Sequence, residues 1–339
     1  MRKILLSVIL AMALLPIISQ DIHQSQFYTS PLNLNPALTG QFNDTAGDHR
    51  ITMNYRNQWF VDDLVKYLTF TGSFDKRFYP KKWTTKGVFS AGVLINYDQA
   101  GDSKLGLTNL GLSGSYAYYL NKSNIISLGG LIGGSSRRFS LDALTWDEQY
   151  NGSSFDPNRP SGENFSNTSN FFLDVSTGLN YRWQKSRRTK MDLGFGAFHL
   201  NEPDQVFANS NHKCKLPLRT SLYALPSFKI SNRFDILLHG LYNFQAPYKE
   251  TVIGGYLKTY LNTKRGNELN VLLGVASRLG DALIPKIAFE YNNWYLGASY
   301  DINNSDFRKA TNRRGGPEFS LMHIFVKSRV AEVRKCHIY

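Results

Sequence analysis

The chain has 339 residues and a formal net charge of +13; aromatic residues make up 14% of it and charged residues 19%. After the first 20 residues, no apolar run approaches the ~18 residues that a membrane-spanning helix needs, which excludes a helical membrane protein. The basic residues cluster neither on one predicted helix nor beside base-stacking aromatics, so nucleic acid is not an expected partner. Two cysteines are too few for a disulfide framework in a chain of this length.

Residues 1–19 predict a secretory signal peptide. Two basic residues precede an almost wholly apolar run over residues 4–18, and Ser19 is a small residue suited to cleavage. Cleavage there would leave Gln20 as the first mature residue. A buried N-terminal helix is the alternative, but the run is short and contains a proline. We therefore expect an exported protein.

The next segment, residues 20–45, contains two prolines and has no regular hydrophobic period, so it predicts neither a helix nor a strand. At its centre lies the motif Asn35, Pro36, Ala37 and Leu38. Irregular backbone is tolerated at membrane depth only inside protein or beside water. If the following chain forms a membrane barrel, we expect this segment to fold into its lumen as a plug. A loose periplasmic tail is the alternative.

Residues 46–327 alternate between apolar and polar side chains over long stretches. Between residues 105 and 120, for example, Leu110, Leu112 and Tyr116 share one face, whereas Asn109 and Ser113 share the other. Such alternation predicts strands with one apolar face. The stretches run for about 10 residues or more, longer than the ~5–6 usual in soluble sheets, and this length suits a tilted strand that crosses a bilayer. A soluble β-sandwich also alternates, but strand length favours the membrane barrel.

The fold prediction is therefore an all-β, transmembrane antiparallel β-barrel of about 14 strands, with residues 328–339 as a basic periplasmic tail. An even number of strands is what bacterial barrels require. The predicted strands are 49–59, 65–76, 86–98, 105–121, 124–138, 168–184, 190–200, 218–231, 233–244, 248–259, 268–280, 282–291, 293–302 and 315–327.

The connections between these strands predict the orientation of the barrel. Those after even-numbered strands are short, whereas those after odd-numbered strands include residues 139–167, 201–217 and 303–314. Outer-membrane barrels have short periplasmic turns and longer outer loops. We therefore expect both termini to be periplasmic.

Charge differs between the two predicted ends of the barrel. The short turns are rich in lysine and arginine, including Arg77, whereas the long loops hold most of the acidic residues. A cationic surface can attract an acidic periplasmic partner, and a solvated rim is the alternative. The candidate partner-binding residues, here called the basic rim, are Arg187, Arg188, Lys264 and Arg265.

The sequence predicts no catalytic, cofactor-binding or metal-binding residues. No serine, cysteine and carboxylate set can be assembled around His199, His239 and His323, which fall on predicted strands. His212-Lys213-Cys214 offers two metal ligands where a site needs three or four. Gly129 and Gly130 lie within a predicted strand, where close packing explains them better than phosphate binding.

Several short blocks resemble the PorP/SprF family, outer-membrane proteins of the type IX secretion system of Bacteroidetes. They occur in order along the whole predicted mature chain. The blocks are Ser25-Gln26-Phe27-Tyr28, Leu34-Asn35-Pro36-Ala37-Leu38-Thr39-Gly40, Tyr55-Arg56-Asn57-Gln58-Trp59, Ser73-Phe74-Asp75, Asp98-Gln99-Ala100-Gly101, Tyr116-Ala117-Tyr118, Leu144-Thr145-Trp146-Asp147-Glu148-Gln149 and Gly316-Pro317-Glu318-Phe319-Ser320-Leu321.

The resemblance implies a non-catalytic part of the type IX secretion and gliding machinery, which holds or helps to export and anchor surface proteins such as adhesins. Its implied partners are outer-membrane lipid, periplasmic secretion components and secreted surface proteins with a C-terminal sorting signal. The segment at residues 20–45 is also similar to the hatch of FadL-type channels. A passive channel for apolar or small solutes is therefore the alternative function.

Overall fold

The computed structural model describes residues 21–42, 47–58, 67–79, 86–101, 103–142, 144–163, 167–205, 207, 214–309 and 312–326. The predicted signal peptide (1–19) and the predicted tail (328–339) lie outside the described residues. So do Gln20 and residues 43–45 of the predicted plug.

Fourteen antiparallel strands close into a barrel in which β1 pairs with β14. The predicted barrel of 14 strands is confirmed, and every predicted strand boundary lies within three residues of the observed one. The strands are β1 (Gly47–Gln58), β2 (Tyr67–Phe78), β3 (Gly87–Ala100), β4 (Leu105–Tyr119), β5 (Asn124–Arg138), β6 (Ser169–Gln184), β7 (Lys190–Phe198), β8 (Arg219–Lys229), β9 (Phe234–Gln245), β10 (Tyr248–Asn262), β11 (Leu269–Arg278), β12 (Ala282–Tyr291), β13 (Trp294–Asn303) and β14 (Arg314–Val326).

The wall of the barrel is apolar outside and polar inside. On β4, Leu112 is 67% exposed whereas the next residue, Ser113, is 4% exposed. Successive side chains of a strand point to opposite faces, so the outward faces form an apolar band that suits lipid. The inward faces carry many of the buried arginine, aspartate, asparagine and serine residues.

Helical structure is confined to short pieces. The α-helix α1 (Pro31–Leu34) lies between two 3-10 turns, Phe27–Thr29 and Pro36–Leu38. Two further 3-10 turns lie in connections, at Asp147–Gln149 and Asp306–Lys309. Among the described residues, no helix is long and apolar enough to cross a membrane.

Connections of different length lie at the two ends of the barrel. The short-turn end holds the six connections that follow β2, β4, β6, β8, β10 and β12, none longer than residues 79–86. The long-loop end holds residues 139–168, 199–218 and 304–313. This sorting agrees with the connection pattern read from the sequence.

The first and last described residues lie at opposite ends of the barrel. Val326 pairs with Gly47 at the short-turn end. At the long-loop end, the Asp21 backbone N–H donates to Gln245 Oε1 (3.1 Å), at the end of β9. The residues before Asp21 and after Val326 lie outside the described residues, so the expectation that both termini are periplasmic stays a prediction. A run of about 20 residues is long enough to cross the barrel, so the sequence alone could not place its first residue.

Candidate functional site in the barrel lumen

Residues 21–42, here called the N-terminal segment, run from the long-loop end to the short-turn end inside the ring of strands. Nearly all of residues 24–42 are buried. Their hydrogen-bond partners lie on strands around the ring, among them Thr71 on β2, Ser115 on β4, Leu179 on β6 and Ser299 on β13. The site is therefore a lumen lined by polar strand residues and occupied by this segment.

The motif Asn35, Pro36, Ala37 and Leu38 packs against β5 to β8. Asn35 Nδ2 donates to the Leu179 and Phe195 carbonyls (2.9 and 3.2 Å) and to the Tyr223 hydroxyl (3.1 Å). Asn35 Oδ1 accepts from Ala37 N–H (2.8 Å), which caps the second 3-10 turn. The side chain thus shapes its own segment and binds the wall.

Two glycines of the wall allow this close approach. A Cβ added to Gly178 would lie 1.8 Å from Asn35 Oδ1, and one added to Gly129 would lie 2.5 Å from Ala37 N. Any larger residue would force the segment or the strand to move. The expectation that Gly129 serves close packing agrees with this geometry.

A buried network of charges holds the start of the segment. The Glu318 carboxylate accepts the backbone N–H groups of Ser25 and Gln26, both at 2.7 Å. Ser25 Oγ donates to Asp301 Oδ1 (2.7 Å), and Asp301 Oδ2 is paired with Arg56 (2.7 Å). Buried charges are costly unless they are paired and hydrogen-bonded. Here the backbone of the segment supplies part of that pairing.

A second buried ion pair holds the segment at Leu38 and Gly40, close to its last described residue. Gly40 N–H donates to Asp75 Oδ2 (2.6 Å), and Arg50 binds both carboxylate oxygens of Asp75 at 3.0 and 2.8 Å. Arg50 also donates to the Leu38 carbonyl (3.1 Å). One arginine–aspartate pair therefore fixes the chain at two points.

Two further arginines bind the last described residue of the segment. The Phe42 carbonyl accepts from Arg77 Nη2 (3.1 Å) and from Arg182 Nη1 (2.8 Å), while Arg182 Nε donates to Asp192 (2.7 Å). Arg77, which the sequence placed in a short turn, instead lies on β2 and is buried. Its position on the inward face of a strand keeps it out of the exposed end.

A charge cluster at the long-loop end holds Asp21. Its carboxylate lies 3.1 Å from His199 Nε2 and 3.1 Å from Arg219 Nη1, and His199 Nδ1 lies 2.9 Å from Asp174. Burial lowers the pKa of His199, but Asp21 and Asp174 outweigh burial and raise it to about 9. Burial raises the pKa of Asp21, but Arg219 and His199 outweigh it and hold that pKa below its usual range. At neutral pH, His199 is therefore a cation between two carboxylates.

The space left around the N-terminal segment is unequal at the two ends. Toward the long-loop end, two voids of about 40 and 30 Å³ lie beside Ile22 and Asn33. Toward the short-turn end, a cavity of about 420 Å³ lies between the segment and the second half of the barrel.

The four residues of the basic rim lie in two separate turns of the short-turn end. Arg188 binds Asp235 through Nε and Nη2 and donates to the Ser231 carbonyl (2.7 Å), so it ties two neighbouring turns together. These bonds raise the pKa of Arg188. Arg187 is exposed in the same turn, whereas Lys264 and Arg265 are exposed four strands away, roughly 19 Å along the wall.

Sequence reasoning missed the residues that hold the segment. Arg56, Asp75 and Glu318 lie within the blocks that carry the family resemblance, but the resemblance assigns them no individual role. The sequence does contain a signal for this role, because each of the three is a charged residue on the polar face of an amphipathic strand. Of the two candidate metal ligands, His212 lies outside the described residues and Cys214 is exposed; within the described residues no group of three potential metal ligands occurs.

The family model for "Type IX secretion system membrane protein PorP/SprF" matches residues 17–321. This chain belongs to the PorP/SprF family. The resemblance of the short blocks is thereby confirmed, and this PorP/SprF chain is a membrane protein of a type IX secretion family. No curated protein matches it.

Solved structures with a similar fold include a toluene transporter and a FadL homologue. The Pseudomonas putida toluene transporter TodX has 8% sequence identity and a TM-score of 0.50, over 90% of this chain and 94% of that one. A Pseudomonas aeruginosa FadL homologue has 12% identity and a TM-score of 0.47, over 85% and 91% of the two chains. At such identity, the likeness concerns the fold of this PorP/SprF barrel alone.

Proposed function

We propose that this PorP/SprF chain is a non-catalytic outer-membrane component of the type IX secretion machinery, which holds surface proteins such as adhesins and helps to export or anchor them. Its short-turn end would face the periplasm, in keeping with the connection lengths of outer-membrane barrels. Membership of the secretion family supports the general role. The proposal goes beyond family membership in three respects: the attachment to adhesins, the orientation of the barrel and any part in gliding.

The observation that carries the proposal is the occupied lumen. The N-terminal segment is bound by buried charged residues on several strands, and two voids beside it toward the long-loop end are about 40 and 30 Å³. A void of that size holds one or two water molecules. We propose that the segment acts as a plug and that the barrel works by binding proteins at its two ends.

The role in secretion is tested by deleting the gene in its own host. Surface proteins that carry the C-terminal sorting signal should disappear from intact cells, and the wild-type gene should restore them. An unrelated outer-membrane protein, measured in the same cells, controls for general damage. Normal surface levels of all such proteins in the deletion strain would contradict the proposal.

A passive channel is the second candidate, and the cavity of about 420 Å³ at the short-turn end favours it. The candidates differ in conductance. In planar bilayers the intact barrel should conduct poorly, whereas a chain lacking residues 21–40 should conduct well. Equal conductance of the two chains would refute the plug, and high conductance of both would favour the channel.

We further propose that exposed cations at the short-turn end attract an acidic periplasmic partner. Because Arg188 holds two turns together, the test reverses Arg187, Lys264 and Arg265 to glutamate and leaves Arg188 unchanged. Recovery of periplasmic secretion components with the barrel should fall, and salt should weaken their recovery with the parent chain. Lys215→Glu, at the long-loop end, is the matched control. Equal recovery of the secretion components with the parent chain, the triple variant and Lys215→Glu would contradict the proposal and favour a solvated rim that binds no partner.

A further inference from the structure

The cavity at the short-turn end has the size of a small-molecule site. Its volume of about 420 Å³ falls within the roughly 300–1,000 Å³ typical of ligand pockets. The N-terminal segment forms one wall, and β6 to β14 contribute most of the others. The cavity therefore lies inside the barrel, beside the N-terminal segment.

One side of the cavity is aromatic and apolar. Tyr28 of the N-terminal segment hydrogen-bonds through its hydroxyl to Tyr256 (2.7 Å), and the two rings are nearly perpendicular, with centroids 6.0 Å apart. Tyr295, Leu237 and Leu272 line the same side. An aromatic or branched aliphatic group would bury its surface here.

The lining of the cavity also carries an excess of cationic residues. Its lining carries six lysine and arginine residues against four aspartate and glutamate residues. Pairs such as Arg182–Asp192 (2.7 Å) and Arg188–Asp235 (2.5 Å) neutralise most of these charges. Lys190 is different: it is half-buried, and among the described residues its ammonium has no hydrogen-bond partner and no ion pair, although Asp192 and Glu290 act on it from a greater distance. A cation partly withdrawn from water gains from a negatively charged partner.

A third observation is an unsatisfied acceptor in the lining. Asn270 is 8% exposed, and its Nδ2 donates to Glu290 (3.0 Å), but among the described residues its Oδ1 has no hydrogen-bond partner. A buried polar atom without a partner destabilises the protein. A ligand with an N–H group would remove that cost.

We propose that this cavity binds an N-acylated amino acid with an aromatic or branched apolar side chain. The carboxylate pairs with Lys190, the side chain packs on the tyrosines and leucines, and the N–H donates to Asn270 Oδ1. The same chemical group occurs in a free acyl amino acid and at the C-terminal end of a peptide. This site is independent of the proposed role in secretion.

The test is calorimetric titration of the full barrel in lipid nanodiscs with N-acetyl-phenylalanine and with its neutral amide. The acid should bind at least ~10-fold more tightly than the amide, since one charge-assisted hydrogen bond distinguishes them. Titration with the peptide Gly-Gly-Gly-Phe tells the two sources apart: tighter binding of the peptide indicates a chain end, and weaker binding indicates the free ligand.

Matched variants assign the contacts. Lys190→Met should abolish the preference for the acid, while Lys190→Arg and the exposed-turn control Lys185→Met should keep it. Leu237→Trp should weaken binding of both compounds because it fills the cavity. Heat-modifiable migration on gels shows whether each barrel has folded. Absence of binding at millimolar concentration, equal affinity for acid and amide, or an unchanged preference in Lys190→Met would overturn the proposal.

Discussion

Removing the Glu318 carboxylate should release the start of the N-terminal segment while the barrel stays closed. In Glu318→Ala, the N–H groups of Ser25 and Gln26 both lose a charged acceptor at 2.7 Å. Hydrogen bonds to charged groups contribute about 1.5–3 kcal/mol each, so the free energy that holds this part of the segment should fall by about 3–6 kcal/mol. Arg56 keeps its pair with Asp301 (2.7 Å), which limits the damage to the wall.

Hydrogen exchange measured by mass spectrometry tests this prediction. A loss of 3–6 kcal/mol corresponds to exchange of the Ser25 and Gln26 amides about 10²–10⁴-fold faster. Glu318→Gln should lie between the parent and Glu318→Ala, because the amide oxygen can still accept one bond. Glu163→Ala, in a long loop, is the control and should leave the segment protected. Unchanged protection in Glu318→Ala would refute the assignment of Glu318 as an anchor.

Three further predictions concern packing, pH and orientation. Gly129→Ala should lower stability by about 1–3 kcal/mol, seen as a lower unfolding temperature, because its Cβ would meet the backbone of the segment. Gly130→Ala, whose Cβ meets its nearest atom at 3.8 Å, should have little effect, and equal effects would contradict this packing. Because the pKa of His199 is raised to about 9, the charged imidazole should stabilise the start of the N-terminal segment fully below about pH 6.5. This stabilisation should be lost as the pH rises through 9. Amide hydrogen exchange of the first residues of the segment should become faster over that pH range, and in His199→Gln this pH dependence should vanish. A pH dependence that persists in His199→Gln would show that another group causes it. A membrane-impermeant maleimide on intact cells should label the exposed Cys214 and spare a cysteine placed at Ser123 in a short turn, whereas the reverse pattern would invert the proposed orientation.

Local pattern was enough to predict the wall of this barrel. The alternation of side chains repeats every two residues, so each strand is visible without knowledge of its neighbours. Turn length is equally local, and it separated the short-turn end from the long-loop end. For that reason the sequence predicted the strands from β1 (Gly47–Gln58) to β14 (Arg314–Val326) to within three residues.

The partners of the charged side chains, in contrast, depend on the closed barrel. Glu318 meets Ser25 across 293 positions of sequence, and no periodicity marks such a pair. The sequence predicts Arg188 as a partner-binding residue of the basic rim, whereas in the closed barrel its guanidinium binds Asp235. The path of the N-terminal segment also depended on closure. Its irregular backbone has no fixed direction of its own, and the ion pairs of the lumen placed Asp21 at the long-loop end.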